Sequence, residues 1–154
     1  MHVMKIRTTS LLNGHNVIDE SFEPTGIGVD GKIFKSQINV HVEAEKGSGK
    51  IALAIETIGL GSFYCDRCGE DFERESRGSC EIVFIQRDEP FPDEEPGDDV
   101  RSYGPFQEYL DISTEVRDTL HLSIPMKNLC NDDCKGLCPK CGGNLNRSAC
   151  RCTA

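Results

Sequence analysis

The cysteines near the C-terminal end of the chain have the spacing of metal ligands. Six of them lie in the last 25 residues: Cys130, Cys134, Cys138, Cys141, Cys150 and Cys152. Two residues separate Cys138 from Cys141, and two glycines follow the pair. Two thiolates that close a tight turn supply half of a tetrahedral zinc site, and small residues permit such a turn. The pattern therefore predicts a zinc-binding tail.

A second pair with the same spacing, Cys65 and Cys68, lies in mid-chain, and Cys80 follows alone. The total of nine cysteines is odd, and residues 1–30 lack the apolar core and cleavage site of a secretory signal. No apolar run approaches the roughly 18 residues that a membrane helix requires. We therefore expect a cytoplasmic protein without a membrane span, in which the thiols stay reduced.

Two ligand sets for a zinc site are compatible with this spacing. The first is local and closes after an eight-residue excursion: Cys138, Cys141, Cys150 and Cys152. The second joins the two like-spaced pairs, as in a zinc ribbon: Cys65, Cys68, Cys138 and Cys141. Local closure favours the first set, but the sequence leaves both open.

A second zinc site follows if the tail site is local, because Cys130 and Cys134 can then meet Cys65 and Cys68. Three residues separate Cys130 from Cys134, a spacing that ligands tolerate but use less often than two. One zinc ion and two are therefore both compatible with the sequence. Cys80 falls on an alternating strand pattern and is predicted to be a small buried hydrophobic residue.

The elements that must position these cysteines are mostly strands. Alternating apolar residues predict strands over 37–45 and 50–58, joined by a short turn into a hairpin. A third strand is predicted to begin near Cys80, and weaker alternation predicts earlier strands near 3–8 and 16–22.

One helix is expected after an acidic, proline-containing loop at 87–105. Apolar residues at every fourth position predict it over about 113–123: Ile112, Val116, Leu120 and Ile124. The expected fold class is α+β, an antiparallel β-rich body covered by one main helix, with a cysteine-rich zinc-binding tail at the C terminus. The body is predicted to span 1–125 and the tail 126–154.

Charge is distributed unevenly between these parts. Residues 1–124 have a net charge of −12 and residues 125–154 a net charge of +3. Phosphate contact requires clustered positive charge, so any RNA contact must use the tail. Its candidate cations are Lys135, Lys140, Arg147 and Arg151. Three aromatic residues are candidates for base stacking, although core packing is their expected role: Phe63, Tyr64 and Phe72.

The sequence offers little for catalysis. The four histidines are scattered, and no nucleophile elbow or phosphate-binding glycine loop is present. We therefore predict that the protein is not an enzyme. The alternative is a dithiol redox protein, or a redox-sensitive zinc switch, because Cys-x-x-Cys also serves thiol exchange at a helix N-terminus. A glycine follows each pair, and this context favours the metal site.

The order of these motifs resembles the bacterial YceD family, the large ribosomal RNA subunit accumulation proteins. The similarity extends from about residue 30 onward: a Cys-Asp-Arg-Cys pair in a β-rich body, an acidic loop, and a helix ending in LSIPMKNLC. The segment DCKGLCPKCGGNLN and the closing Cys-Arg-Cys follow.

The resemblance implies a cytoplasmic, non-enzymatic factor needed for normal levels of large-subunit (23S) ribosomal RNA in ribosome biogenesis. The implied partner is ribosomal RNA or a ribosomal or assembly protein, with no small-molecule substrate.

Overall fold

Five strands form the main sheet of the computed structural model, which describes residues 4–89, 99–150 and 152. The strands and the helix, in chain order, are β1 Lys5–Arg7, β2 Gly14–Phe22, β3 Ile38–Gly47, β4 Lys50–Tyr64, β5 Asp71–Gln86, β6 Val100–Tyr103, β7 Tyr109–Asp111 and α1 Ser113–Leu122. The main sheet has the order β2-β3-β4-β5-β6, and β1 pairs with β7 in a small second sheet. Four neighbouring strands of the main sheet are antiparallel, which confirms the predicted antiparallel β-rich fold.

The predicted hairpin is the centre of this sheet. Between β3 and β4, Ser48 and Gly49 have φ angles of 49° and 71°, the left-handed values that a two-residue type I′ turn requires. β4 continues six residues beyond the predicted end at 58 and reaches Tyr64. β5 begins at Asp71, so the prediction of a start near Cys80 was nine residues too late.

The acidic loop was predicted over 87–105, and this range is too long. Val100–Tyr103 forms β6 within it and pairs with β5 in parallel. Residues 90–98 of the predicted loop lie outside the described residues.

The helix covers one side of the sheet, as the sequence predicts. α1 begins at Ser113, whose backbone N–H donates to the Asp111 carboxylate at 3.0 Å. Val116 and Leu120 on its apolar stripe are fully buried against β4 and β5. None of the helices in the described part of the chain has both the length and the apolar composition to cross a membrane.

The other side of the sheet carries polar side chains, among them His41 on β3. The His41 imidazole Nδ1 lies 2.5 Å from the Asp19 carboxylate on β2, and Nε2 lies 3.7 Å from Glu43. The hydrogen bond to Asp19 raises the pKa of His41 above its ordinary value of 6.5. This interaction therefore stabilises the fold at low pH and is lost as the pH rises through the raised pKa.

We expect the substitution Asp19→Asn to lower the pKa of His41 toward 6.5, because the imidazolium loses its main carboxylate partner. A titration of the imidazole resonances by NMR measures the shift. The control Glu20→Gln removes a neighbouring charge from the opposite side of the same strand. An unchanged His41 midpoint in Asp19→Asn would contradict the assignment.

Candidate metal centres

The two Cys-x-x-Cys pairs adopt the same local backbone. In the loop between β4 and β5, the Gly69 N–H donates to the Cys65 carbonyl at 2.9 Å. In the tail, the Gly142 N–H donates to the Cys138 carbonyl, also at 2.9 Å. Gly69 and Gly142 have φ angles of 71° and 70°, a left-handed conformation that favours glycine. The glycine after each pair is therefore what lets the turn close.

The first cluster joins the β4–β5 loop to the start of the tail. Its members are Cys65, Cys68, Cys130 and Cys134, with all Sγ atoms within 4.8 Å of one another. The Sγ atoms of Cys65 and Cys134 lie 3.7 Å apart, and those of Cys68 and Cys130 lie 3.8 Å apart. A tetrahedron of thiolates with Zn–S distances of about 2.3 Å has edges of about 3.8 Å. The sulfur separations therefore fit a metal ion at the centre.

The second cluster lies wholly within the tail. Its members are Cys138, Cys141, Cys150 and Cys152, again within 4.8 Å of one another. Three sulfur separations are 3.1 Å for Cys138–Cys150, 3.6 Å for Cys141–Cys150 and 3.9 Å for Cys138–Cys152. None of the nine cysteines, all of which are described, forms a disulfide. Two clusters of four cysteines could thus each hold a metal ion.

The alternative zinc-ribbon set is not assembled. Cys65 and Cys68 lie in the first cluster, whereas Cys138 and Cys141 lie in the second. Cys80 belongs to neither cluster among the described residues and packs, half-buried, against the main core. Burial raises the pKa of the Cys80 thiol, as expected for a residue in an apolar setting.

Backbone N–H groups favour the thiolate form in each cluster. Burial alone would raise the pKa of Cys65, but hydrogen bonds from the backbone of Cys68, Cys130 and Arg67 lower it to about 6. A hydrogen bond from the Cys141 backbone is the main cause that lowers the pKa of Cys138 to about 6. Because metal ions bind the thiolate, these donors prepare each turn for a cation.

Two thiols in each cluster have a raised pKa and keep their protons in the absence of a cation: Cys68 and Cys130 in the first cluster, and Cys150 and Cys152 in the second. Burial is the main cause that raises the pKa of Cys130 to about 12. The hydrogen bond with the Cys150 thiol is the main cause that raises the pKa of Cys152 to about 12. Metal binding must therefore release protons from both clusters.

Hydrogen bonds outside the cysteines hold the tail against the β4–β5 loop. The Asp66 N–H donates to the Asn128 carbonyl at 2.7 Å, and the Asn128 N–H donates to the Asp66 carboxylate at 2.6 Å. The Arg67 guanidinium donates to the Cys134 carbonyl at 3.0 Å. These contacts cross the predicted boundary between body and tail at residue 125, which stays a prediction.

Asn146 lies in the chain between Cys141 and Cys150 of the second cluster but contacts the first cluster, a role that sequence reasoning missed. Its side-chain amide donates to the Cys134 Sγ at 3.3 Å, and its carbonyl oxygen accepts from the Lys135 N–H at 2.8 Å. The sequence signal that could have indicated this role is an asparagine between the cysteine pairs of the tail. An asparagine side chain can donate one hydrogen bond and accept another, and so can join two segments.

The clusters differ in exposure. Cys65, Cys68 and Cys134 are buried, whereas Cys141 and Cys150 of the second cluster are exposed. Because only the tail supplies the second cluster, we expect its loss to leave the sheet contacts in place.

We expect Cys150→Ser to lower the metal content by one ion per chain while the sheet stays folded. Cys150 contacts the other three sulfurs of its own cluster and belongs to a group separate from the first cluster. Metal analysis of the purified variant and an amide NMR spectrum measure the two effects. Loss of dispersed sheet resonances would show that the clusters do not fold independently.

The predicted RNA-contacting residues are only partly available. Arg147 forms an ion pair with Glu70 at 2.6 Å, and Lys135 and Lys140 are exposed. Arg151 lies outside the described residues. Phe63 is buried with its ring centroid 5.9 Å from that of Phe72, which confirms core packing for Phe63.

Tyr64 differs from these two aromatic residues, since it is 73% exposed. The Tyr64 ring can therefore contact a partner, whereas the buried Phe63 ring cannot.

Comparisons with known proteins agree on one family. The family model described as large ribosomal RNA subunit accumulation protein YceD matches residues 62–154. A curated Arabidopsis thaliana protein, large ribosomal RNA subunit accumulation protein YCED homolog 1, chloroplastic, is 29% identical over 75% of this chain. The Zea mays protein of the same name is 52% identical over 28% of this chain.

The matched parts are 43% of the Arabidopsis protein and 15% of the maize protein, so the chain spans less than half the length of these relatives. No solved structure matches the chain. The family match covers both clusters and more than half of the sequence. The chain therefore belongs to the YceD family of large ribosomal RNA subunit accumulation proteins.

Proposed function

We propose that this chain is a non-enzymatic, zinc-binding factor of the cytoplasm that supports the accumulation of large-subunit (23S) ribosomal RNA. The observation that carries the proposal is the pair of four-cysteine clusters within the family-matched region. The family description supports the role in ribosomal RNA accumulation, and the two cysteine clusters support metal binding.

Zinc is the proposed metal because four thiolates are the donor set of structural zinc sites, and the sulfur separations of 3.7 and 3.8 Å in the first cluster match the edges of such a site. Thiolate ligands also disfavour magnesium and calcium, which prefer oxygen ligands. Closed sites of four protein ligands leave no open position for water or substrate, which supports a structural role for the metal.

The redox alternative has less support. Reactive Cys-x-x-Cys pairs have an exposed thiolate at a helix N-terminus, but each pair here closes on a glycine turn. Neither pair opens a helix in the described part of the chain. Purified protein with about two zinc ions and no disulfide turnover would support the structural role, whereas metal-free protein with rapid turnover would favour the redox role.

Deletion of the gene in its host tests the biological role. We expect a lower ratio of 23S to 16S ribosomal RNA, restored by the wild-type gene and by Cys80→Ser but not by Cys134→Ser. Cys80→Ser is the matched control because it changes a cysteine outside both clusters. An unchanged ratio in the deletion strain would overturn the proposal.

A further inference from the structure

The side of the main sheet opposite α1 is not covered by any element among the described residues. Strand register places its side chains in four rows across β2, β3, β4 and β5. We call this surface the open face and define it by these rows: His15-Glu45-Ala52-Val83, Val17-Glu43-Ala54-Glu81, Asp19-His41-Glu56-Ser79 and Ser21-Asn39-Ile58-Arg77.

The open face is acidic. It carries five carboxylates, which are Asp19, Glu43, Glu45, Glu56 and Glu81, against one arginine and two histidines. Three of the carboxylates are paired within the fold: Asp19 with His41, Glu45 with His15 at 3.0 Å, and Glu56 with Arg77 at 2.8 Å. The carboxylates still outnumber the basic side chains of the face. Such a surface repels phosphate and attracts cations.

Apolar side chains run between these carboxylates. Val17 is 52% exposed, and Ala54 is also exposed. Shallow depressions along the face include Ala52, Ala54 and Ile58 in their lining, each beside glutamate side chains. The open face therefore combines apolar side chains with charged neighbours, which is the composition of a protein interface.

We infer that the open face binds a basic, extended protein segment that presents lysine or arginine and apolar residues by turns on one of its sides. Successive side chains of an extended segment point to opposite sides, so residues i and i+2 share the side that meets the sheet. A cation at i and an apolar residue at i+2 then reach a carboxylate and an alanine of the open face. A second copy of this chain would bring like charges together, and RNA would bring phosphate to an acidic surface. The inference deepens the proposed function and rests on it only for the source of the partner, the proteins of the large ribosomal subunit.

The first probe is a short synthetic peptide that repeats Lys-Ser-Val-Ser, so that lysine and valine share one side of the extended chain, added to isotope-labelled, zinc-loaded protein. We expect amide shifts confined to the open face, and none with a peptide that repeats Glu-Ser-Val-Ser. Shifts confined to the tail, or equal binding of both peptides, would overturn the inference.

Charge variants then locate the contact. Glu43→Gln, Glu56→Gln and Glu81→Gln together are expected to weaken peptide binding about tenfold, since the face loses three negative charges that attract the peptide lysines. The control triple variant Glu108→Gln, Asp118→Asn and Asp132→Asn removes three exposed acids elsewhere and is expected to bind within about twofold of wild type.

A second variant tests the apolar side chains of the open face independently of its carboxylates. Ala54→Arg places a bulky cation at the centre of the face and is expected to abolish binding, while its exposed position leaves the fold intact. Amide spectra and zinc content equal to wild type confirm folding of each variant. Wild-type affinity in either face variant would overturn the inference.

Competition identifies the class of natural partner. RNA-free protein extracted from purified large ribosomal subunits is expected to displace the peptide, whereas the ribosomal RNA from the same particles is not. Displacement by RNA alone would overturn the inference. If the face variants restore ribosomal RNA levels in the deletion strain, the docking inference fails alone, whereas an unaffected deletion strain removes the proposed function itself.

Discussion

Replacing Cys134 by serine is expected to reduce bound zinc from about two ions per chain to about one and to detach the tail from the β4–β5 loop. Cys134 is buried, and its sulfur lies 3.7 Å from that of Cys65. A serine hydroxyl is a poor substitute for a thiolate, so the first cluster loses a ligand that it cannot replace locally. Structural zinc sites contribute about 10–16 kcal/mol in small domains, which makes this the largest single effect that we expect.

Metal analysis and limited proteolysis measure the two consequences of Cys134→Ser. The zinc count reports the cluster, and new cleavage near Asn128 reports release of the tail, because Asn128 is held by backbone hydrogen bonds to Asp66. Cys80→Ser is the control with unchanged zinc and unchanged cleavage. Retention of both zinc ions in Cys134→Ser would show that the first cluster is not a metal site.

The second large effect is expected from Gly78→Ala, at the contact between β5 and α1. An added Cβ would press against the backbone carbonyl of Thr119 and lie 2.8 Å from the Thr119 Cγ2 atom. Because the clash is with helix backbone, the helix itself must move. Overpacking of this kind costs about 1–3 kcal/mol, and we expect the upper end.

Thermal unfolding of the zinc-loaded protein measures this effect. A loss of about 3 kcal/mol corresponds to a fall in Tm of roughly 6–12 °C for a chain of this size. Gly47→Ala is the matched control, since a Cβ at this position meets nothing within 4 Å. An equal fall in Tm for both variants would show that the close helix–sheet contact is not the cause.

Local patterns predicted the centre of the fold. The hairpin of β3 and β4 follows from strict alternation and a short glycine-containing turn, and both signals lie within a few residues of each other. The helix follows from apolar residues at every fourth position, which the structure buries at Val116 and Leu120.

The ends of β4 and β5 could not be predicted in the same way. β4 continues through Gly59 and Gly61, which interrupt the apolar pattern because Ile38 and Phe63 occupy the space of their missing side chains. In β5, Gly78 plays the same part under the helix. Glycine occurs in these strands because another residue packs where its side chain would be, and this packing partner is known only from the folded structure.

The cysteine spacing predicted the ligand types, but the sorting into two clusters depends on tertiary structure. The turns at Cys65 and Cys138 are the same locally, so their sequences do not identify their partners. What separates them is the pairing of Asp66 with Asn128, which brings the start of the tail to the first turn. The strand β6 was missed because only four residues form it, beside a highly charged segment.

The first cluster has a consequence for the order of events during synthesis. Cys68 and Cys130 are 62 residues apart, so their thiols leave the ribosome roughly 3–12 s apart at ordinary elongation rates. During that interval the β4–β5 hairpin has only two of the four ligands of the first cluster, Cys65 and Cys68. The first cluster can therefore join the sheet to the tail only after Cys130 and Cys134 have left the ribosome, and a chain that terminates before Cys130 never forms this connection.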